Sequence, residues 1–160
     1  MNELINKETV KRVQDALKKF DNTIEIQILD NSAHTAIDAS NALSCEVGAI
    51  VKSLLLRKNN LFFLCLISGD KKCSLNKVKK ITNEKDVSLA NANDVKMVTG
   101  FTIGGVSPVG LKNNLDIFID NKLSRFNNVY AAAGHPNVIF KISFNKLIQI
   151  TSGKIMDISE

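Results

Sequence analysis

Residues 49–67, with the sequence AIVKSLLLRKNNLFFLCLI, decide the fold. Two apolar runs flank the short polar segment KNN, which is the pattern of a β-hairpin. Alternate side chains of a strand share a face, so Lys52 shares one with Ile50, Leu54 and Leu56. The pattern therefore predicts a buried hairpin with one ammonium group among aliphatic side chains.

The position of Lys52 has two explanations. An ammonium group is costly to bury unless it is paired or faces a cavity. Lys52 either reaches solvent past a sheet edge or lines a pocket, and the residues alone leave both explanations open. In a pocket, this side chain can bind a phosphate or a carbonyl oxygen, or have a lowered pKa.

Outward from the hairpin, the pattern alternates between helices and strands. The predicted helices cover residues 7–20, 35–43, 75–81, 91–98 and 144–150, and the predicted strands cover residues 23–29, 86–90, 115–120, 128–133 and 138–142. No linker or internal repeat divides the chain. We expect a single domain over residues 1–160, of mixed α/β class, with a largely antiparallel central sheet.

The composition resembles that of an ordinary soluble protein, with 44% hydrophobic and 23% charged residues. No apolar run approaches the ~20 residues that a membrane helix needs, and the N-terminal residues lack the apolar region of a secretory signal. We therefore expect a cytoplasmic protein with no membrane partner. The net charge is +5, and residues 71–80 contain five lysines and no acid. That cluster fits a phosphate-binding surface, although charge alone favours a solvated helix face.

The three cysteines, Cys45, Cys65 and Cys73, predict neither a disulfide framework nor a metal site. Their number is odd, and no two have the spacing of metal ligands. Cys65 lies within an apolar run and is most simply a small core residue. A catalytic cysteine would have only His34 and His135 as partners, so this explanation is less favoured. We expect neither a metal nor a cofactor.

A glycine-rich loop, GFTIGGVSPVG at residues 100–110, contains four of the eight glycines in the chain. Glycine lets a ligand approach the backbone and proline stiffens the loop, so N–H groups can point at a carbonyl oxygen or a phosphate. Gly105 and Gly110 have the spacing of a P-loop, but Leu111 stands where a P-loop needs lysine. Ser107 lacks the second glycine of a nucleophile elbow. We predict a functional loop rather than a structural turn or a triphosphatase site.

A third stretch, AAAGHPN at residues 131–137, also combines small residues with a proline. Its alanines leave room for a ligand beside a strand, and Gly134 and Pro136 bracket His135 in a rigid turn. A histidine held in this way can act as a general base or contact a substrate. A single histidine is more often a polar loop residue, so both explanations stay open.

Taken together, these stretches resemble the YbaK/ProX family of aminoacyl-tRNA deacylases, whose fold also forms the editing domain of bacterial prolyl-tRNA synthetases. The resemblance covers roughly residues 20–156. It rests on V-K-S-L after G-x-I, on the G-x-x-x-P of residues 104–108, and on the order of the stretches. It implies a barrel-like sheet flanked by helices, and an enzyme that hydrolyses a wrong amino acid from tRNA.

The resemblance also implies site residues. The strand lysine of the family matches Lys52, which would contact the substrate near the aminoacyl ester or the terminal adenosine. The loop would frame the aminoacyl group, and a histidine of alanine-specific members matches His135. The implied catalytic residues are Lys52, Gly104 and His135, and the implied substrate-binding residues are Ser53, Gly105, Val106, Ser107, Pro108 and Gly134.

Two departures from the family pattern bear on the substrate. Ser53 replaces the threonine or asparagine that many members have after the lysine, and GHPN replaces the arginine-rich turn of cysteine-specific members. The second departure favours alanine or another small residue over cysteine. The implied function is trans-editing of tRNA(Pro) that carries alanine, 2-aminobutyrate or cysteine, with the tRNA acceptor end and prolyl-tRNA synthetase as partners.

The chemistry needs no protein nucleophile, because an aminoacyl ester is already activated. We expect backbone N–H groups of residues 104–108 to stabilise the oxyanion while water attacks. Two alternatives remain: a non-catalytic module of the same fold that binds tRNA or the synthetase, and a hydrolase for an ester that is not attached to tRNA.

Overall fold

The computed structural model describes residues 3–30 and 35–160, in which helices and strands alternate along the chain. The α-helices are α1 (Glu8–Phe20), α2 (Ala36–Leu43), α3 (Leu75–Thr82), α4 (Ala92–Thr99) and α5 (Phe144–Thr151). The strands are β1 (Ile26–Ile28), β2 (Val51–Lys58), β3 (Leu61–Ser68), β4 (Val87–Leu89), β5 (Asp116–Asp120), β6 (Asn128–His135), β7 (Val138–Ser143) and β8 (Lys154–Met156).

Polar side chains define where several helices begin. Ser74, Asn91 and Ser143 each accept a hydrogen bond from a backbone N–H in the first turn of α3, α4 and α5, respectively. Gly100 ends α4 with a φ of 80°, in the left-handed region that favours glycine. The glycine-rich loop therefore starts directly at the end of α4.

The strands form two sheets. β2 and β3 form the predicted antiparallel hairpin within a five-stranded sheet of order β4-β2-β3-β5-β8. β5 pairs parallel with both β3 and β8. The second sheet, of order β1-β7-β6, is antiparallel, and an isolated bridge between Ile50 and Tyr130 connects the two. The mixed α/β class is confirmed, although the strands divide between two sheets and two pairs are parallel.

The β2–β3 hairpin is buried on both faces. On one face it joins the main core, to which α1 contributes the fully buried Val10, Val13 and Leu17. On the other face Cys65 packs with Val78 of α3 in a second apolar cluster. Burial on both faces explains why the hairpin sequence is almost continuously apolar.

Some elements were not predicted. Short 3₁₀ helices occupy Glu3–Asn6, Val47–Ala49 and Asn121–Arg125, and β8 follows α5. β6 runs on to His135, which was expected in a turn. No helix in the described ranges is long and apolar enough to cross a membrane. The expectation of a single domain over residues 1–160 stays a prediction.

Candidate active site

A cavity of about 650 Å³ opens beside β2. β3 pairs with β2 along its whole length, whereas β4 pairs only with residues 56–58 of β2. The edge of β2 at residues 51–54 therefore has no β4 residue beside it. The start of α2, part of β6 and the glycine-rich loop surround this edge. The walls are mainly apolar and include Val51, Leu55, Val106 and Ala131.

Lys52 lines this cavity. Its Nζ donates a hydrogen bond to the Lys71 carbonyl, in the turn that follows β3. Burial lowers the pKa of Lys52, while the nearby carboxylates of Asp70 and Asp120 act in the opposite direction. Lys52 thus lies both in the cavity wall and at the edge of β2 that β4 leaves uncovered.

Ser53 also lines the cavity. Its Oγ is buried and has no hydrogen-bond partner among the described residues. A buried hydroxyl without a partner loses free energy relative to one that is hydrogen-bonded. The Ser53 Oγ is consequently an unsatisfied polar atom beside the cavity rather than an exposed contact on its surface.

An ion pair holds the turn that carries Lys71. Arg125 donates to both carboxylate oxygens of Asp70, with Nη2–Oδ1 at 2.7 Å and Nη1–Oδ2 at 3.1 Å. Arg125 Nη2 also donates to the Ser68 Oγ, at 2.8 Å. The hydrogen bonds from Arg125 lower the pKa of Asp70 to about 2. Asp70 is consequently a fixed negative charge near Lys52 at neutral pH.

The five residues of the G-x-x-x-P motif have different surroundings. Gly104 and Val106 line the cavity, but Gly105, Ser107 and Pro108 do not. The last two are buried, and the Ser107 Oγ accepts a hydrogen bond from the Val109 N–H at 3.2 Å. The expectation that Ser107 and Pro108 contact a substrate has no support from this placement, because both side chains are used inside the protein.

The loop amides are also unequal as donors. The Gly105 N–H donates to the Thr102 carbonyl at 3.0 Å, so it is engaged within the loop. The N–H groups of Gly104 and Val106 have no hydrogen-bond partner within residues 3–30 and 35–160. The Ser107 N–H also lacks a partner among these residues, so two of the three free amides of the motif belong to residues that line the cavity.

His135 lies behind the loop rather than in the cavity wall. An added Cβ on Gly105 would lie 3.0 Å from the backbone of His135, while Pro136 lines the cavity. The His135 Nδ1 accepts a hydrogen bond from the Asn137 N–H at 3.0 Å, which holds the imidazole against its own turn. Neither Gly134 nor His135 is among the lining residues. His34 lies outside the described residues.

Cys65 has the surroundings of a core residue rather than of a nucleophile. Cys65 is fully buried, as expected for a core residue. A hydrogen bond with the Cys73 thiol, together with burial, raises the pKa of Cys65, so its nucleophilic thiolate form is disfavoured. Within the described ranges, no three histidine, cysteine, aspartate or glutamate side chains cluster as metal ligands would.

The cavity mouth includes residues that the sequence did not single out. Ile37, Leu89 and Ile103 line it, although each is more than half exposed. Tyr130 lines it as well. These residues come from α2, β4, the loop and β6, so no local pattern could have grouped them. Ala131 and Ala132, from the predicted small-residue stretch, line the cavity, whereas Ala133 is fully buried.

The chain is similar to proteins connected with aminoacyl-tRNA editing. It is 28% identical over 123 residues to the proline–tRNA ligase of Caldicellulosiruptor saccharolyticus, which covers 77% of this chain but only 19% of the ligase. It is 26% identical to the uncharacterized protein YwhH of Bacillus subtilis, over 92% of this chain and 94% of YwhH. It is 23% identical to EbsC of Enterococcus faecalis, over 78% and 77% of the two chains. EbsC is named provisionally as a Cys-tRNA(Pro)/Cys-tRNA(Cys) deacylase.

A solved structure agrees with these similarities. A crystal structure described provisionally as a trans-editing enzyme for prolyl-tRNA synthetase has a TM-score of 0.91 and 32% identity, and covers 96% of this chain and 98% of its own. The family sequence model described as the aminoacyl-tRNA editing domain matches residues 30–150 of this chain. These comparisons confirm the resemblance and the predicted enzyme class, aminoacyl-tRNA deacylase. The chain therefore belongs to the aminoacyl-tRNA editing domain family.

Proposed function

We propose that this chain hydrolyses the ester that joins a small non-cognate amino acid to tRNA(Pro). The observation that carries the proposal is the cavity, in which Lys52 and two loop residues with free amides line one apolar space. The proline–tRNA ligase among the relatives and the name given to EbsC support tRNA(Pro) as the carrier.

In the proposed reaction, water attacks the ester carbonyl carbon, and the bond from that carbon to the ribose oxygen breaks. The N–H groups of Gly104 and Val106 stabilise the oxyanion. Lys52 offsets the negative charge and orients the tRNA end. The proton that water loses reaches the departing ribose oxygen through the neighbouring ribose hydroxyl. Gly105, Ser107, Pro108 and Gly134 shape the loop and its support.

Selectivity follows from the size and polarity of the cavity. Its volume is within the range of about 300–1,000 Å³ that holds drug-sized ligands, so it has room for a terminal adenosine with an aminoacyl group. Ala131 and Ala132 leave space for a short aliphatic side chain. Two amino acids that differ by one methylene differ in binding free energy by only ~1–3 kcal/mol in an apolar pocket. A synthetase that selects its amino acid in one pocket therefore benefits from a separate editing site that removes smaller residues.

The proposed partners are the acceptor end of tRNA(Pro) and prolyl-tRNA synthetase, in the cytoplasm. The lysines of residues 71–80 supply positive charge on the segment that contains Lys71, whose carbonyl binds Lys52. Such positive charge favours binding of the phosphate backbone of a nucleic acid.

The test is the deacylation of tRNA(Pro) charged separately with alanine, 2-aminobutyrate, cysteine, serine or proline. The native chain is compared with Lys52→Met, which keeps the side-chain length and removes the charge. We expect rapid loss of alanine or 2-aminobutyrate, sparing of proline, and no activity in a folded Lys52→Met variant.

Two outcomes contradict the proposal. If no charged tRNA decays faster than its blank, with or without prolyl-tRNA synthetase, the chain is a binding module rather than a hydrolase. If a free aminoacyl ester of adenosine is hydrolysed as well as the charged tRNA, the tRNA is not the recognised substrate.

A further inference from the structure

Arg12 of α1 contacts both ends of the glycine-rich loop. Its Nε donates to the Gly110 carbonyl at 2.6 Å, and its Nη2 donates to the Thr99 carbonyl at 3.3 Å. The guanidinium also lies over the Phe101 ring, 4.6 Å from its centroid. One planar group thus joins the residue before the loop to the residue that ends it.

The backbone of α1 packs against the same region. An added Cβ on Gly110 would lie 3.0 Å from the Arg12 carbonyl oxygen. The Thr9 Oγ1, one turn earlier, donates to the Gly134 carbonyl at 2.9 Å. The helix therefore holds the loop and the end of β6 that carries His135. α1 lies outside residues 30–150, the part that matches the editing-domain family.

We propose that Arg12 is a positioning residue, which fixes the loop so that the Gly104 and Val106 amides face the ester carbonyl. The proposal rests on the proposed function. Gly100, Gly104 and Gly110 all have positive φ, so the loop conformation is one that few residues other than glycine adopt, and glycine backbones lose much entropy when they are ordered. The fork of a guanidinium can hold two carbonyls at once, whereas an ammonium is a point donor.

The kinetic test compares Arg12→Lys with Glu8→Gln. Arg12→Lys keeps the positive charge but loses the fork, and we expect kcat to fall ~10- to 100-fold with KM unchanged, because small misplacements of catalytic groups have effects of that size. Glu8→Gln is the matched control, since it removes only the ion pair between Glu8 Oε1 and Arg12 Nη1, at 3.1 Å. We expect it to have native kcat.

The second readout is amide hydrogen exchange, which needs no activity. The amides of Gly105, Val109 and Lys112 are hydrogen-bonded within or beside the loop. We expect all three to exchange faster in Arg12→Lys and the amide of Leu64 in β3 to be unaffected. Native kcat in Arg12→Lys, or equal acceleration at Leu64, would overturn the positioning role. If the native chain hydrolyses no aminoacyl-tRNA, the proposed function fails. If amide exchange in the loop is the same in Arg12→Lys as in the native chain, Arg12 does not hold the loop, whatever the activity.

Discussion

At the scale of single residues, Lys52 shows how a charged side chain is accommodated on an apolar strand. Its Nζ reaches a backbone carbonyl, and the carboxylates of Asp70 and Asp120 are close enough to favour its charged form. Burial alone would favour the neutral amine. The opposing effects leave the pKa of Lys52 lowered, because burial in the wall of an apolar cavity is the larger of the two.

The ion pair between Asp70 and Arg125 makes stability depend on acidity. Because the pKa of Asp70 is lowered to about 2 from 3.8, the pair's contribution is fully present above pH 3.8 and is lost as the pH falls towards 2. Asp70→Asn should lower the free energy of unfolding at neutral pH by about 0.5–1 kcal/mol, a modest value because the two side chains are 40% and 37% exposed. The difference from the native chain should shrink within that acidic window.

The measurement is urea unfolding of both chains across this pH range. The matched control is Asp15→Asn, because Asp15 is exposed on α1 and forms no ion pair with another described residue. A difference for Asp70→Asn that stays constant down to pH 2 would contradict the assignment of the lowered pKa to this pair.

At the scale of elements, the short β4 creates the cavity. It pairs with β2 only from Leu56 to Lys58, and the chain then enters α4. A longer β4 would have covered the edge of β2 where Lys52 lies. The opening is therefore a consequence of where one strand ends.

The packing of α1 against β6 predicts unequal effects for two glycines with nearly equal φ. Gly134 has a φ of 91° and Gly104 a φ of 92°. A Cβ on Gly134 would lie 2.7 Å from the Thr9 backbone, whereas a Cβ on Gly104 would meet only the Pro136 ring, at 3.4 Å. Gly134→Ala should therefore cost about 2–4 kcal/mol of unfolding free energy through strain and overpacking. Gly104→Ala should cost about 1–2 kcal/mol, from the backbone conformation alone.

Thermal or urea unfolding of the two variants measures this difference directly. Gly104→Ala serves as the control for the cost of positive φ. Equal losses in the two variants would show that α1 can move away from β6 without a penalty.

At the scale of the whole molecule, positive charge should govern tRNA binding. Lys72 and Lys80 are exposed and form no ion pair with a described residue, unlike Lys77, which pairs with Asp157 at 3.0 Å. Replacing Lys72 and Lys80 together by alanine should weaken tRNA binding and reduce the slope of log Kd against log salt by about one per lysine that contacts phosphate. Fluorescence anisotropy with labelled tRNA at several salt concentrations measures both quantities.

The control for this prediction is the double replacement of Lys18 and Lys19, which are exposed near the end of α1. It removes the same charge from another part of the surface. An equal loss of affinity and slope in the control would indicate a general effect of net charge rather than a surface at residues 71–80.

Local patterns were sufficient for most of the helices and strands and for part of the cavity lining. Alternation and turn residues predicted the β2–β3 hairpin, and glycines and proline marked the loop that contributes Gly104 and Val106 to the cavity. The family resemblance implied that Ser107 and Pro108 bind the substrate; both are buried and neither lines the cavity, so this role stays a prediction. A motif defines which residues are close in sequence, and it does not define which of them face a cavity.

The sequence by itself determined the mixed α/β class, the hairpin and the family, because each depends on residues that are close together or occur in a set order. Only the tertiary structure decided the parallel pairing of β5, the uncovered edge of β2 and the contact of Arg12 with Gly110, which is 98 residues away. These features depend on which faces and edges meet when the chain packs, and local periodicity carries no information about such partners.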